Sequence, residues 1–218
     1  MSKLHLIVAN KNYSSWSLRP WMALGMAGLP FSETVIQLDM PDTRKRIARH
    51  SKAGRLPVLH HGNHVIWDSL AILEYLAETF PEKTFWPKPA AARALARSVS
   101  NEMHSGFQAL RNECPMNLRR PRRKIQLSDA GLADVARIDR IWRDCRAKFG
   151  ARGDFLFGRF SNADAMFTPV VTRLETYDIK VSRVSRAYMN SILATPAFRR
   201  WKEDALKETW VIAADEVD

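Results

Sequence analysis

Apolar residues run from Leu4 to Ala9, LHLIVA, and predict a first strand. Residues 10–17 are polar and rich in turn formers. Ser17 or Arg19-Pro20 then starts a helix, because proline suits a first turn; Trp21, Leu24, Met26 and Ala27 give it apolar faces and Gly28 ends it. A second strand covers 31–38 around Val35 and Ile36, and a short, strongly basic helix covers 41–50. Leu56 to His60 forms the next strand, with Pro57 confined to an edge or an unusual peptide geometry, and a Gly62-Asn63 turn joins it to the run 64–67. From Ser69 the period changes from two to 3.6, with Leu70, Leu73, Tyr75 and Leu76 on an apolar-rich helix that Asp68 or Ser69 caps. Exposed N–H groups and the positive end of the dipole make such a helix start an anion site.

The order of these elements is that of a thioredoxin-like domain, and right-handed crossover makes its first two strands parallel. Three prolines in FPEKTFWPKP mark a linker over 81–90 after a domain at 1–80. The rest, 91–218, is helical in period. A long amphipathic run covers 91–111, a basic loop follows over 114–127, and Ser128-Asp129 caps a helix to about Phe149. Ser161 and Asp164 stand at capping-box spacing, and Thr195-Pro196 starts a last helix with Phe198, Trp201 and Leu206. The predicted class is α/β plus all-α.

Leu56-Pro57-Val58-Leu59, then Asp68-Ser69-Leu70-Ala71-Ile72-Leu73-Glu74-Tyr75-Leu76, resembles the glutathione-binding half of the glutathione transferase family. The resemblance implies that Pro57 is cis, that Leu56 offers its backbone to the cysteinyl part of glutathione, and that Asp68 and Ser69 bind the γ-glutamyl group. Arg55 and Pro57 complete the glutathione-binding set on this segment. The pair Ser161 and Asp164 resembles the folding box of the family's helical domain.

A hydroxyl at a helix start can donate to a thiolate held beside it, and both effects lower a thiol pKa. Asn12-Tyr13-Ser14-Ser15-Trp16-Ser17-Leu18-Arg19 resembles the Ser-Ser-x-Ser-x-Arg signature of zeta-like transferases. That implies a serine-type, bacterial glutathione S-transferase in which Ser14 and Ser15 are catalytic, Ser14 foremost, and Ser17 is a cap. Tyr13 is the alternative, since other classes use a tyrosine near this place; from the residues alone, all three serines could instead simply cap and solvate a loop. Gly106 to Asn112 resembles a zeta stretch whose polar residues reach toward glutathione, which adds Gln108. Trp16 and Thr176 depart from that pattern, which carries cysteine and a carboxylate-gripping arginine there; Arg173 lies nearly one turn before Thr176.

The reaction implied is attack of the glutathione thiolate on a small electrophile, with glutathione as cosubstrate and isomerase or peroxidase side activity open. The alternative is a non-catalytic glutathione- or partner-binding protein of the same fold. The resemblance also implies a homodimer. No apolar run approaches a membrane span of about 20 residues, no C-x-x-C is present, and the lone Cys114 and Cys145 favour a reducing cytoplasm. A net charge of +11 invites anionic partners. The run Arg119-Arg120-Pro121-Arg122-Arg123-Lys124 lacks the interleaved aromatics of a nucleic-acid binder and is expected to be a solvated face that steers anions. No metal is expected, because the adjacent His60 and His61 point to opposite faces and no carboxylate or thiol joins them and His64.

Overall fold

The structure is a computed structural model that describes residues 3–217. Strand β1 (Leu4–Ala9) lies at the centre of a four-stranded sheet of order β2-β1-β3-β4. It pairs in parallel with β2 (Phe31–Ile36) and antiparallel with β3 (Val58–His61), which pairs antiparallel with β4 (His64–Ile66). Helix α1 (Ser15–Ala27) makes the crossover between β1 and β2, α2 (Thr43–Ala48) follows β2, and α3 (Ser69–Thr79) follows the hairpin. This is the expected thioredoxin-like arrangement. Leu56–Pro57 is cis, and Pro57 stands just before β3, where its missing N–H breaks no ladder.

Helices α4 (Ala90–Ser105), α5 (Gln108–Glu113), α6 (Asp129–Phe149), α7 (Asn162–Thr176), α8 (Arg183–Leu193) and α9 (Pro196–Lys207) form the rest. The single run expected over 91–111 is two helices. A Cβ at Gly106 would stand 2.7 Å from the Glu102 carbonyl, and Phe107 takes a left-handed φ of 60°, so the chain turns there. The Ser161–Asp164 box is present: Asp164 accepts from the Ser161 and Leu156 N–H groups at 2.8 and 3.0 Å. Burial raises the Asp164 carboxyl to about 6 against the pull of those donors.

Helix α1 joins the two halves. Leu18, Trp21, Met22 and Leu24 are buried with the sheet residues Leu6, Val8 and Leu59 and with Met166, Phe198 and Trp201 of the helical half. Its start is fixed from three sides. The Lys11 and Asn12 N–H groups donate to Glu208, the Arg119 N–H donates to the Asn12 side chain, and the Trp201 indole donates to the Lys11 carbonyl. The expected start at Ser17 or Arg19-Pro20 is two to four residues late, because Ser14 is the cap and Pro20 sits in the second turn. Ser17, expected as a cap, is fully buried inside the helix, where its hydroxyl accepts the Ala9 N–H at 3.0 Å.

Candidate active site

Two helix starts, those of α1 and α3, both come to His104 of α4, which touches Trp16 at the first and Asp68 at the second. At the first, the Ser14 hydroxyl caps α1 by accepting the Ser17 N–H at 3.3 Å, and it lies 2.9 Å from the Ser17 hydroxyl. Either hydroxyl of such a pair can supply the shared proton. With Ser17 donating, Ser14 accepts twice and keeps its own O–H for a ligand. Ser15, the first helical residue, is 7% exposed. Tyr13 is committed elsewhere: its hydroxyl donates to Glu216 at 2.5 Å and accepts from Arg119 at 2.8 Å. Burial and the Glu216 bond raise its pKa, which makes it a poor partner for a thiolate.

At the second start, one Asp68 oxygen caps α3 by accepting the Leu70 and Ala71 N–H groups at 3.0 and 3.3 Å. Its other oxygen lies 3.1 Å from His104 Nε2, at the end of α4. Ser69 is fully buried and its hydroxyl has no hydrogen-bond partner, so a polar group sits unspent beside the cap. Leu56 is half-buried beside this region of the sheet, while Arg55 is exposed. Gln108 is exposed and its amide donates to the Ser105 carbonyl at 3.4 Å; among the described hydrogen bonds it reaches none of the other candidate residues.

The strongest feature was not read from the sequence. The guanidinium groups of Arg19 and Arg111 lie 4.2 and 4.8 Å from the Trp16 ring centre, with the His104 ring edge-on to it at 5.1 Å. Arg173 of α7 belongs to the same charge cluster, and none of these three arginines forms a salt bridge among the described residues. Arg19 is 2% exposed, and its Nε and Nη1 are buried without a partner. Burial, then repulsion from Arg111 and Arg173, lowers Arg19 to about 9; burial and Arg111 lower Arg173 to about 10. All stay charged at neutral pH; Asp68 favours the charge on Arg19 and Asp215 that on Arg173, but none of the three is salt-bridged among the described residues.

The basic run is not simply a solvated face. Arg119 donates to Tyr13 and to the Glu208 and Trp210 carbonyls, Arg120 donates to the Val217 carbonyl, and Arg122 pairs with Asp178 and Glu175. Arg119 and Arg120 thereby clamp the segment after α9 over the loop that precedes Ser14. His60 bonds the His50 carbonyl and His61 bonds Tyr75, so these rings have separate partners. The Cys114 and Cys145 thiols are buried and pushed up to about 12, which leaves them inert as nucleophiles.

Residues 13–79 match the family model described as glutathione S-transferase, N-terminal domain. Glutathione S-transferase 1 of Dianthus caryophyllus is 34% identical over 116 residues, 53% of this chain and 52% of that one. A probable maleylacetoacetate isomerase of Caenorhabditis elegans is 33% identical over 99 residues, 45% of this chain and 46% of its own. The chain thus matches about half the length of these relatives. A glutathione transferase homolog from Burkholderia gl BGR1, solved with bound glutathione, superposes with a TM-score of 0.70 at 21% identity, over 93% of this chain and 98% of that one. At that identity the likeness shows the fold.

Proposed function

We propose, from a chain whose residues 13–79 match the glutathione S-transferase N-terminal domain model, that the junction site activates glutathione for attack on a small, negatively charged electrophile. The observation that carries this reading is the cluster of Arg19, Arg111 and Arg173, without a salt bridge among the described residues, beside the Ser14-Ser15 and Asp68-Ser69 helix starts. In this reading the γ-glutamyl ammonium sits on Asp68, its carboxylate on Ser69 and the α3 start, and the cysteinyl backbone along Leu56-Pro57, with Arg55 at the rim. Gln108, held against Ser105, takes part only after turning away from it.

The cosubstrate sulfur then lies at the start of α1. Its thiol gives up a proton to solvent, and the thiolate is held by the serine hydroxyl, the helix dipole and the nearby guanidinium charge. The sulfur lone pair forms the new C–S bond while the electrophile's leaving group departs, or its double bond shifts, with the electron pair. The guanidinium cluster holds a carboxylate on the electrophile. Serine-type chemistry of this kind also accommodates glutathione-dependent isomerisation and peroxide reduction. The reading places the protein in a reducing cytoplasm, apart from nucleic acid; no helix among the described residues is long and apolar enough to cross a membrane. Domains at 1–80 and 91–218 about an 81–90 linker are part of the same proposal.

Calorimetry with glutathione tests it, using Asp68→Asn, because asparagine caps a helix as well as aspartate while removing the charge. The expected loss is about 1–3 kcal/mol of binding free energy, the cost of unpairing a charged hydrogen bond. Unchanged affinity would move the γ-glutamyl group off Asp68. Retention on glutathione resin with no turnover of any aryl halide or haloacid would favour the binding-protein alternative. A homodimer completes the reading, and its mass by light scattering at micromolar concentration should be about 50 kDa, twice the chain's 25.0 kDa. A 25.0 kDa species there would overturn the dimer.

A further inference from the structure

We propose that His104 is a positioning residue of the glutathione site, holding the one Asp68 oxygen left for the ligand's ammonium. The inference rests on the reading of Asp68-Ser69 as the γ-glutamyl anchor and adds a residue of the helical half to it. Asp68 Oδ1 is spent on the Leu70 and Ala71 N–H groups, so Oδ2 is the oxygen available to a cation. The Asp68 side chain is 51% exposed, and the two cap bonds hold Oδ1 alone, so the setting of Oδ2 depends on what stands beside it. His104 Nε2 stands 3.1 Å from that oxygen. Among the described residues, this is the one side-chain N···O approach within 4 Å from the helical half to Asp68.

The imidazole is itself held. It stands edge-on to Trp16 at 5.1 Å, and it is carried on the last turn of α4, directly before the chain reversal at Gly106. The charged groups facing it are Asp68 at the α3 cap, Arg19 from α1 and Arg111 from α5. Burial is the largest influence on the ring, and together with the two arginines it outweighs Asp68, so the pKa lies below the ordinary 6.5. His104 is therefore neutral at pH 7. Since a carboxylate can only accept, the tautomer that suits this contact carries its proton on Nε2, 3.1 Å from Asp68 Oδ2. Nδ1 is left as a buried acceptor without a partner.

This state leaves Asp68 its full negative charge while aiming it. Protonating His104 would place a cation on the oxygen that the ligand's ammonium needs. Glutathione binding should then weaken as pH falls through the lowered His104 pKa, and be at full strength above it.

His104→Ala and His104→Gln test the idea, with glutathione as the varied substrate. In His104→Ala the KM for glutathione should rise about 5- to 10-fold with kcat within about twofold, since what is lost is one polar contact that orients the anchor in binding. His104→Gln, whose amide also donates, should restore most of the affinity and remove the rise in KM that the unmutated protein shows on acidification from pH 7 to 5. An unchanged KM in His104→Ala, where Asp68→Asn raises it, would overturn the role of His104 and leave the site reading standing. A glutamine variant as weak as the alanine, or one with the same pH dependence as the unmutated protein, would overturn it too. If the unmutated protein binds no glutathione by calorimetry, the site reading fails and this inference goes with it.

Discussion

Ser14→Ala should lower kcat by about 100- to 1,000-fold, the range for deleting one hydrogen bond that strengthens as charge develops. The Ser14 oxygen accepts the Ser17 N–H and lies against the Ser17 hydroxyl, whose oxygen is already engaged by the Ala9 N–H. With Ser17 as the donor of the hydroxyl pair, Ser14 has its O–H free for a thiolate at the very start of α1, where the dipole also favours an anion. The same hydroxyl is a helix cap, and alanine there costs about 1 kcal/mol of stability. Ser14→Gly separates the roles, because glycine caps within a few tenths of a kcal/mol of serine. Both variants should raise the pH midpoint of the thiolate absorbance of bound glutathione and leave its affinity nearly unchanged. Ser15→Ala should shift the midpoint less. If Ser15→Ala gives the larger shift, Ser15 is the catalytic residue. Movement in neither would remove both serines from the role and leave thiolate stabilisation to the arginines, since Tyr13 is tied to Glu216 and Arg119.

Why some of this was legible in the sequence and some was not follows from the range of the interactions. The hairpin and the Asp68 cap are local: a proline, a Gly62-Asn63 turn and a change of period lie within 23 residues, 54–76, and each fixes its own neighbours. The Ser161–Asp164 box is equally local. The α1 start was misplaced because Pro20 imitates the first-turn proline of a helix, while the burial of Ser17 depends on the Ala9 N–H of the adjacent strand. The break between α4 and α5 leaves the helical period intact, and only Gly106 hints at it. Arg119 and Arg120 look like surface charge until their partners nearly a hundred residues away are known.

His104, Arg111 and Arg173 belong to three different helices, and Arg19 to a fourth. No spacing along the chain brings them to one place. Arg19 was within view as the last residue of the Ser-Ser-x-Ser-x-Arg run, yet an arginine in a helix is ordinarily solvated. The role proposed for it becomes visible only in the fold, where Arg19 is buried and forms no salt bridge among the described residues.

That lack supports the last prediction. A buried guanidinium with unpaired nitrogens is a cost to the folded chain, and replacing such a group by an apolar side chain of similar length is neutral or stabilising. Arg19→Met should keep contact with the Trp16 ring through its thioether, which packs well on aromatics. We expect the melting temperature to rise by about 2–4 °C, the shift that ~1 kcal/mol gives in a chain of this size. Turnover should move the other way. For a carboxylate-bearing haloacid, kcat/KM should fall about 10- to 150-fold, the equivalent of losing a 1.5–3 kcal/mol charged hydrogen bond. An uncharged aryl halide should lose much less, since only the general field on the thiolate is weakened. Gain in stability together with selective loss toward the anion is the mark of a residue kept for its ligand rather than for the fold. A lower melting temperature with equal losses on both substrates would instead make Arg19 a structural residue and remove the anionic electrophile from the reading.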